Sequence, residues 1–380
     1  MPGDRRPTLS DVAARAGVSK SLVSLVMRDE PGAGPETRRR VLDAAAELGY
    51  QPDSRARLLR SGRSRLLGVV FGIQHAFHAD LVTDLYTAAR ETGYELALSA
   101  VTPHRAEPEA ITGLLQDRCE ALILLGPQSP VASLARLAER LPVVAVARGV
   151  RSPAIDVVRN ADADGLRRAV DHLVELGHRR IAHIDGGRAP GAADRRSGYR
   201  DAMRRHALGE GEGEWRGEGE RRGQAERRGE GNPRGEGTRG GRGRRGGGDG
   251  IRIVRGGLTE EDGAAAARAL LEDLPTAITV FNDRCATGVL DVLAREGLKV
   301  PGDVSVVGYD DSHLARLAHV DLTTIAQDTA MMSRLAVGRA VARVEGEPVQ
   351  QREQVVAPHL VVRGTTGPVR AGRPRPRSRR

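Results

Sequence analysis

Over the first 65 residues, apolar positions recur at spacings of three and four in short stretches separated by tight turns. Leu9, Val12, Ala13 and Ala16 share one helical face, with Thr8 and Asp11 spaced as a capping box and Gly17 ending the run. Ser19 is placed to cap a second helix whose apolar positions are Leu22, Val23 and Val26. A third helix can begin at Pro35, bury Val41, Leu42, Ala45 and Leu48, and stop at Gly49. From Leu66 onward the texture changes. Continuous apolar runs at 66–73, 121–126, 142–147, 180–186, 277–283 and 304–311 read as buried strands, and amphipathic stretches such as Leu81 to Thr92 and Leu166 to Leu176 read as helices between them. Such alternation specifies βα units on parallel sheets. Each half should form a doubly wound layer that binds ligands beyond the carboxyl ends of its strands.

Two segments break the pattern. Residues 209–250 are almost devoid of apolar side chains and mix glycine with both charge signs, so they cannot bury enough surface to offset their ordering entropy and are expected to be a disordered insertion containing the lone Trp215. Residues 367–380 are expected to be a basic disordered tail.

Charge adds a partner class. The chain has 59 Lys+Arg against 50 Asp+Glu, a formal charge of +9 and a pI near 10.3, which favours a polyanion such as double-stranded DNA. The excess gathers at Arg38, Arg39, Arg40, Arg55, Arg57, Arg60, Arg63 and Arg65, and again in the tail. Cys119 and Cys285 are far apart without metal-type spacing, which argues against a disulfide framework and a zinc site. No run approaches the length of a membrane span and no secretory segment opens the chain, so a cytoplasmic protein with no membrane partner is expected. His172, His178 and His183 are spaced across a helix and a following strand and do not form a ligand set. No catalytic constellation, cofactor or metal is expected, and the protein is not expected to be an enzyme.

The segment TLSDVAARAGVSKSLVSLVMRD (8–29) resembles the helix-turn-helix of the lactose-repressor (LacI) family, and VLDAAAELGYQPDSRARLLRSGRSRLLGVV (41–70) resembles its third helix, hinge and first sensor strand. Further similarity runs through HLVELGHRRIAHIDG (172–186), the Arg-x-x-Gly-Tyr segment at 195–199, FND (281–283), VPGDVSVVGYDD (300–311) and LTTIAQD (322–328). The resemblance implies an α-helical helix-turn-helix headpiece at 1–51, a hinge at 52–65, and at 66–366 an α/β sensor of the periplasmic-binding-protein type with two doubly wound subdomains. The first of these is expected at about 66–160 and 326–345, the second at about 161–325 and 346–366.

In a helix-turn-helix the second helix enters the major groove, so Lys20 and Ser21 at its start are base-reading candidates. Ser10, Ser19 and Ser24 are candidates for helix caps or for positioning contacts to phosphate, and Thr8 and Arg28 are further DNA-binding candidates. Leu25 stands where the family commonly has Arg, and Leu22 where it has Thr, so the operator differs or the grip is weaker, and Leu25 could meet a thymine methyl. The family's hinge pattern is represented by Pro52, Asp53, Ala56, Arg57 and Leu59, with Leu59 as the wedge that pries open a minor-groove step and Ala56 permitting close approach. By the same resemblance Phe77, Arg148, Arg195, Asn282 and Asp310 hold a small-molecule effector. Ala147 replaces a frequent Asp and Leu258 a frequent aromatic, which points to a pocket less sugar-like than usual. The expected function is a transcriptional repressor that binds a near-palindromic operator as a homodimer under effector control. The alternatives are a solute-binding protein of periplasmic type and a non-specific nucleic-acid binder acting through its Arg-rich segments.

Overall fold

Val12, Ala13 and Ala16 from α1 (Leu9–Ala16), Val23 and Val26 from α2 (Lys20–Met27) and Val41, Ala44 and Ala45 from α3 (Pro35–Glu47) meet in one small core. The architecture comes from a computed structural model that describes residues 7–27, 29–50, 63–208 and 250–369. The chain divides into two compact units at residue 64. In the first, Gly17 closes α1 with φ +64°, a left-handed turn that glycine adopts without steric cost, and the Val18 amide reaches back to the Ala13 carbonyl. Leu42, expected inside, is 48% exposed, and Ala44 takes the inner place. The reason is geometric: the buried face of α3 follows 41, 44 and 45, and Leu42 is rotated about 100° from Val41.

The second unit carries two six-stranded sheets. The first lobe has the order β11-β5-β4-β3-β1-β2, built from β1 (Leu66–Gly72), β2 (Glu95–Val101), β3 (Ala121–Leu125), β4 (Val143–Val146), β5 (Asp156–Asn160) and β11 (Glu353–Val356). The second has the order β12-β10-β9-β8-β6-β7, built from β6 (Ile181–Asp185), β7 (Arg252–Arg255), β8 (Ala277–Val280), β9 (Ser305–Asp310), β10 (Thr323–Ala326) and β12 (His359–Val361). Every pairing is parallel except β10 with β12. Helices cover both faces. In the first lobe α4 (Ala76–Glu91) and α11 (Thr329–Val344) pack on one side, α5 (Glu107–Gln116) and α6 (Val131–Ala138) on the other. In the second, α7 (Asp162–Glu175) with α8 (Ala192–Arg205) oppose α9 (Glu260–Leu270) with α10 (Asp283–Arg295). The α9–α10 contact is close because each helix offers a glycine to the other's backbone: a Cβ on Gly263 would overlap the Cys285 carbonyl, and one on Gly288 the Glu260 carbonyl.

The chain crosses between lobes three times, after β5, after β10 and between β11 and β12. The third crossing corrects the sequence reading, which assigned all of 346–366 to the second subdomain. β11 instead pairs with β5, Glu353 opposite Val157, and only β12 joins the second sheet. The folded chain also runs past 366, since the Val369 amide donates to the Leu176 carbonyl and His178 Nε2 lies 3.0 Å from the Gly367 carbonyl. Most of the expected insertion (209–249), most of the hinge (52–62) and the tail from 370 lie outside the described residues.

Candidate functional site

The headpiece presents one end of α2 to solvent. Ser19 precedes the helix and its Oγ accepts from the Leu22 amide at 3.2 Å, so this serine is occupied by capping. Lys20 and Ser21, the first two helical residues, are exposed, while Val23 and Val26 one turn on are buried. The face opposite the core therefore begins with a cation and a hydroxyl. Ser10 and Ser24 are half-buried, and the Thr8 hydroxyl donates to Asp11 Oδ2 at 2.6 Å. Leu25 is also half-buried, its Cδ1 3.1 Å from where a Cβ on Gly32 would stand, so it packs in part against the following turn. That turn is clamped by Arg38, which donates to Asp29 Oδ1 at 2.6 Å and to the Glu30 carbonyl at 2.7 Å. One member of the basic cluster thus has a structural task. Arg28, Ala56, Arg57 and Leu59 lie outside the described residues.

In the second unit the sheet orders reverse direction between β1 and β3 and between β6 and β8. Open α/β sheets bind ligands at such switch points, where the neighbouring crossovers diverge and leave a crevice. Arg195, in the first turn of α8, fills the second-lobe switch point. Its Nε donates to Asp162 at 2.9 Å and its Nη1 to the Phe281 carbonyl at 2.5 Å; its guanidinium carbon stands 3.5 Å from the Tyr309 ring centre, and Nη2 lies 3.8 Å from Asp310 Oδ1. Burial, the largest single influence, would lower the Arg195 pKa, but Asp162, Tyr309 and Asp310 together outweigh it and hold the group above its ordinary range. Burial pushes Asp310 well above the usual carboxylate range, with the guanidinium pulling the other way.

Asp310 adopts φ +114°, a conformation L side chains rarely take and which costs about 1–3 kcal/mol. It is held there by Gln327, whose Nε2 donates to Asp310 Oδ1 at 2.6 Å and whose Oε1 accepts from Asn160 Nδ2. Asn160 and Gln327 stand at two of the three lobe crossings, so Arg195, Asp310, Gln327 and Asn160 form one polar chain from α8 to the hinge between lobes. The Asn160 Oδ1 is buried and meets no protein donor. Asn282 caps α10, accepting from the Cys285 amide at 2.7 Å and donating to the Leu258 carbonyl at 3.2 Å.

The first-lobe candidates behave differently. Phe77, expected along the cleft, is 8% exposed and packs in the lobe's core with Leu81 and Leu85, because it starts α4 on the helical face that covers the sheet. His75 and His78 occupy this switch point instead, stacked with centres 4.6 Å apart, and His78 Nδ1 accepts from the Gly72 amide at 3.0 Å. Arg284 on α10 ties the lobes here, donating to the Gln74 carbonyl at 3.0 Å while paired with Glu260 at 2.7 Å. Arg148 donates to the carbonyls of Pro127 and Ser129 and lines a cavity with Gly191 and Asp194.

Residues 8–53 match the model of the bacterial regulatory proteins of the lacI family, 64–216 that of the periplasmic binding proteins and sugar binding domain of the LacI family, and 170–366 a periplasmic binding protein-like domain. The HTH-type transcriptional regulator CelR of Thermobifida fusca is 31% identical over 96% of this chain and 99% of its own length. The chain belongs to the LacI family. A LacI transcriptional regulator from a Rhodococcus species shares 47% identity with this family member over 80% of this chain and 99% of that one, with a TM-score of 0.68. The lac repressor dimer bound to operator and the anti-inducer ONPF is 28% identical over 96% of this chain and 100% of that one, with a TM-score of 0.74. This LacI-family chain is therefore a transcriptional regulator, and its relatives are regulators rather than enzymes.

Of the five expected effector residues, the fold of this LacI-family chain gathers Arg195, Asp310 and Asn282 around one strand-end crevice, places Arg148 on a neighbouring cavity and buries Phe77. Sequence reasoning missed Asp162, Asn160 and Gln327. The last was within reach, because LTTIAQD ends in a polar residue after a buried strand just as VSVVGYDD does. Asp162 gave no signal, since an acidic residue in a helix's first turn is ordinary. The three histidines of 172–183 are bonded apart, His172 to Thr366, His178 to Gly367 and His183 to Thr279.

Burial lowers His78 and His183 to about 3. A depressed histidine pKa contributes stability above the unfolded value and loses it as pH falls below that value. At pH 5.5, about one unit under the unfolded pKa, each should cost about 1.4 kcal/mol. Urea titrations at pH 7.5 and 5.5 are expected to show a smaller acid-induced loss in His183→Gln than in the parent by that amount. An identical loss in both would mean that the imidazole is protonated in the folded protein.

Proposed function

We propose that this LacI-family regulator binds a near-palindromic operator as a homodimer through the exposed start of α2, and that a small molecule held between the two lobes controls that binding. The observation that carries the reading is Lys20 and Ser21 standing exposed on a helix capped by Ser19 and braced by α1, the placement from which side chains reach base edges. The lac repressor dimer bound to operator supports the dimeric arrangement. Ser10, Ser24, Thr8 and Leu25 flank the base-reading pair, and Arg28, Ala56, Arg57 and Leu59 are assigned to the duplex by resemblance. The regulator works in the cytoplasm, where its operator is.

Control follows from the polar chain at the lobe crossings. A ligand that hydrogen-bonds Arg195, Asp310 and Asn282 more favourably in one lobe arrangement than in another shifts the balance between them by that difference and by no more. Asn160 and Gln327 sit at the crossings, where such a shift becomes a rotation of one lobe on the other.

Lys20→Ala is expected to weaken operator binding roughly 10- to 100-fold, the worth of one good base contact, with the melting temperature unchanged. Gel shift with the protein's own promoter, beside a scrambled duplex, measures it. Equal affinity of parent and variant for the promoter would remove Lys20 from base reading.

A further inference from the structure

The loop after β3, the segment that follows β4, the turn leading into α8 and the start of β11 enclose a cavity of about 880 Å³. Five arginines line it, Arg148, Arg151, Arg159, Arg188 and Arg352, against two carboxylates, Asp194 and Glu353. Glu353 is already matched with Arg159 at 2.5 Å, and Arg148 is turned to backbone carbonyls, which orient a guanidinium without neutralising it. Arg151, Arg188 and Arg352 are exposed, and Arg188 comes from the second lobe while the other four come from the first. Gly191 and Ala193 bring the start of α8 to the same wall, where no side chain caps the helix, so its positive end adds to the field. Like charges gathered in a concave wall repel one another and concentrate counter-ions.

We propose that this cavity binds a phosphate group, and that the regulator's ligand is a phosphorylated small molecule. A phosphate dianion offers enough charge for the unmatched arginines and enough oxygens for several planar guanidinium forks at once. The side-chain chemistry beside the cavity agrees: Ala147, immediately before Arg148, supplies no carboxylate to a sugar's hydroxyls. Because the arginines come from both lobes, an anion among them draws the lobes together. The step from that closure to operator control rests on the function proposed above; the binding itself does not.

Calorimetry on the full-length chain at low ionic strength tests it, with inorganic phosphate, glucose 6-phosphate and glucose as probes. Saturable binding of both phosphates is expected, with glucose much weaker than glucose 6-phosphate. The double variant Arg151→Ala/Arg188→Ala should bind phosphate roughly 100-fold more weakly, about tenfold for each lost contact. Both arginines lie on exposed loops, and circular dichroism checks that the variant is folded; Arg151→Lys/Arg188→Lys, which keeps the charge, should recover part of the affinity. Tighter binding of glucose 6-phosphate than of inorganic phosphate supports the cavity as the phosphate end of a larger ligand site, and equal affinity overturns the claim that the regulator's ligand is phosphorylated. Absence of saturable phosphate binding, unchanged affinity in the double variant, or glucose binding as tightly as glucose 6-phosphate overturns the proposal. Gel shifts run alongside separate the two readings: operator binding without phosphate binding removes this inference alone, whereas loss of operator binding in the parent protein removes the proposed function whatever phosphate does.

Discussion

Arg195→Ala is expected to destabilise the second unit by about 3–5 kcal/mol, because it strips the counter-charge from the Asp162 carboxyl, which is almost wholly buried. Asp162 and Arg195 side chains are 6% and 7% exposed, and Asp310 is 11% exposed. Truncation removes the bond to Asp162, the bond to the Phe281 carbonyl and the cation lying over Tyr309, and leaves a cavity where the guanidinium was. Replacing Asp162 by Asn in the same chain should recover part of the loss, since the neutral amide is cheaper to bury alone. Urea denaturation followed by circular dichroism measures both. A loss below about 1 kcal/mol would match the worth of a surface ion pair and would mean that solvent reaches the carboxyls once the arginine is gone. The same variant should lose its response to any ligand that bridges the lobes, because Arg195 is where the polar chain enters α8.

The second large effect concerns backbone contact. Gly288→Ala is expected to cost about 1–3 kcal/mol, because the new methyl meets the Glu260 carbonyl and the two helices must move apart to accept it. Gly338 in α11 supplies the contrast, being exposed with nothing within 4 Å of its would-be Cβ. Gly338→Ala should therefore stabilise by about 0.5–1 kcal/mol, the helix-propensity difference between the two residues. Thermal melts of the two variants should move in opposite directions. A common direction would show that propensity, rather than the α9–α10 approach, governs Gly288.

The legibility of the chain follows burial. Strands buried on both faces, β1, β3, β4, β6, β8 and β9, stand out as continuous apolar runs. The edge strands β2 and β7 are only partly covered and carry polar residues, and β5 is interrupted by Arg159, so none of the three produced such a run. β11 was harder still: Glu353 and Gln354 break any apolar run, and which sheet receives the strand depends on a partner about 200 residues earlier in the sequence. In the headpiece, periodicity and the Ser19 cap placed all three helices. The exposure of Lys20 and Ser21 was legible for the same reason, since exposure at the start of a helix follows from its phase. The polar chain was legible only in part. Arg195 opens one recognisable segment and Asp310 lies near the end of another, whereas Asn160 matters through its pairing with Gln327 at the lobe crossings and Asp162 through its pairing with Arg195 on the next helix, and no local pattern encodes either. The burial of Phe77 was likewise decided by tertiary packing.

Since β5 waits for β11 to complete its sheet edge, and β12 can join β10 only after the chain has crossed a final time, neither lobe closes while the ribosome is still making the middle of the protein. The headpiece contacts run between helices within its first 50 residues, so it is competent to fold long before them. During synthesis there is consequently an interval in which a nascent chain can carry a finished DNA-reading end and no working receptor for its signal.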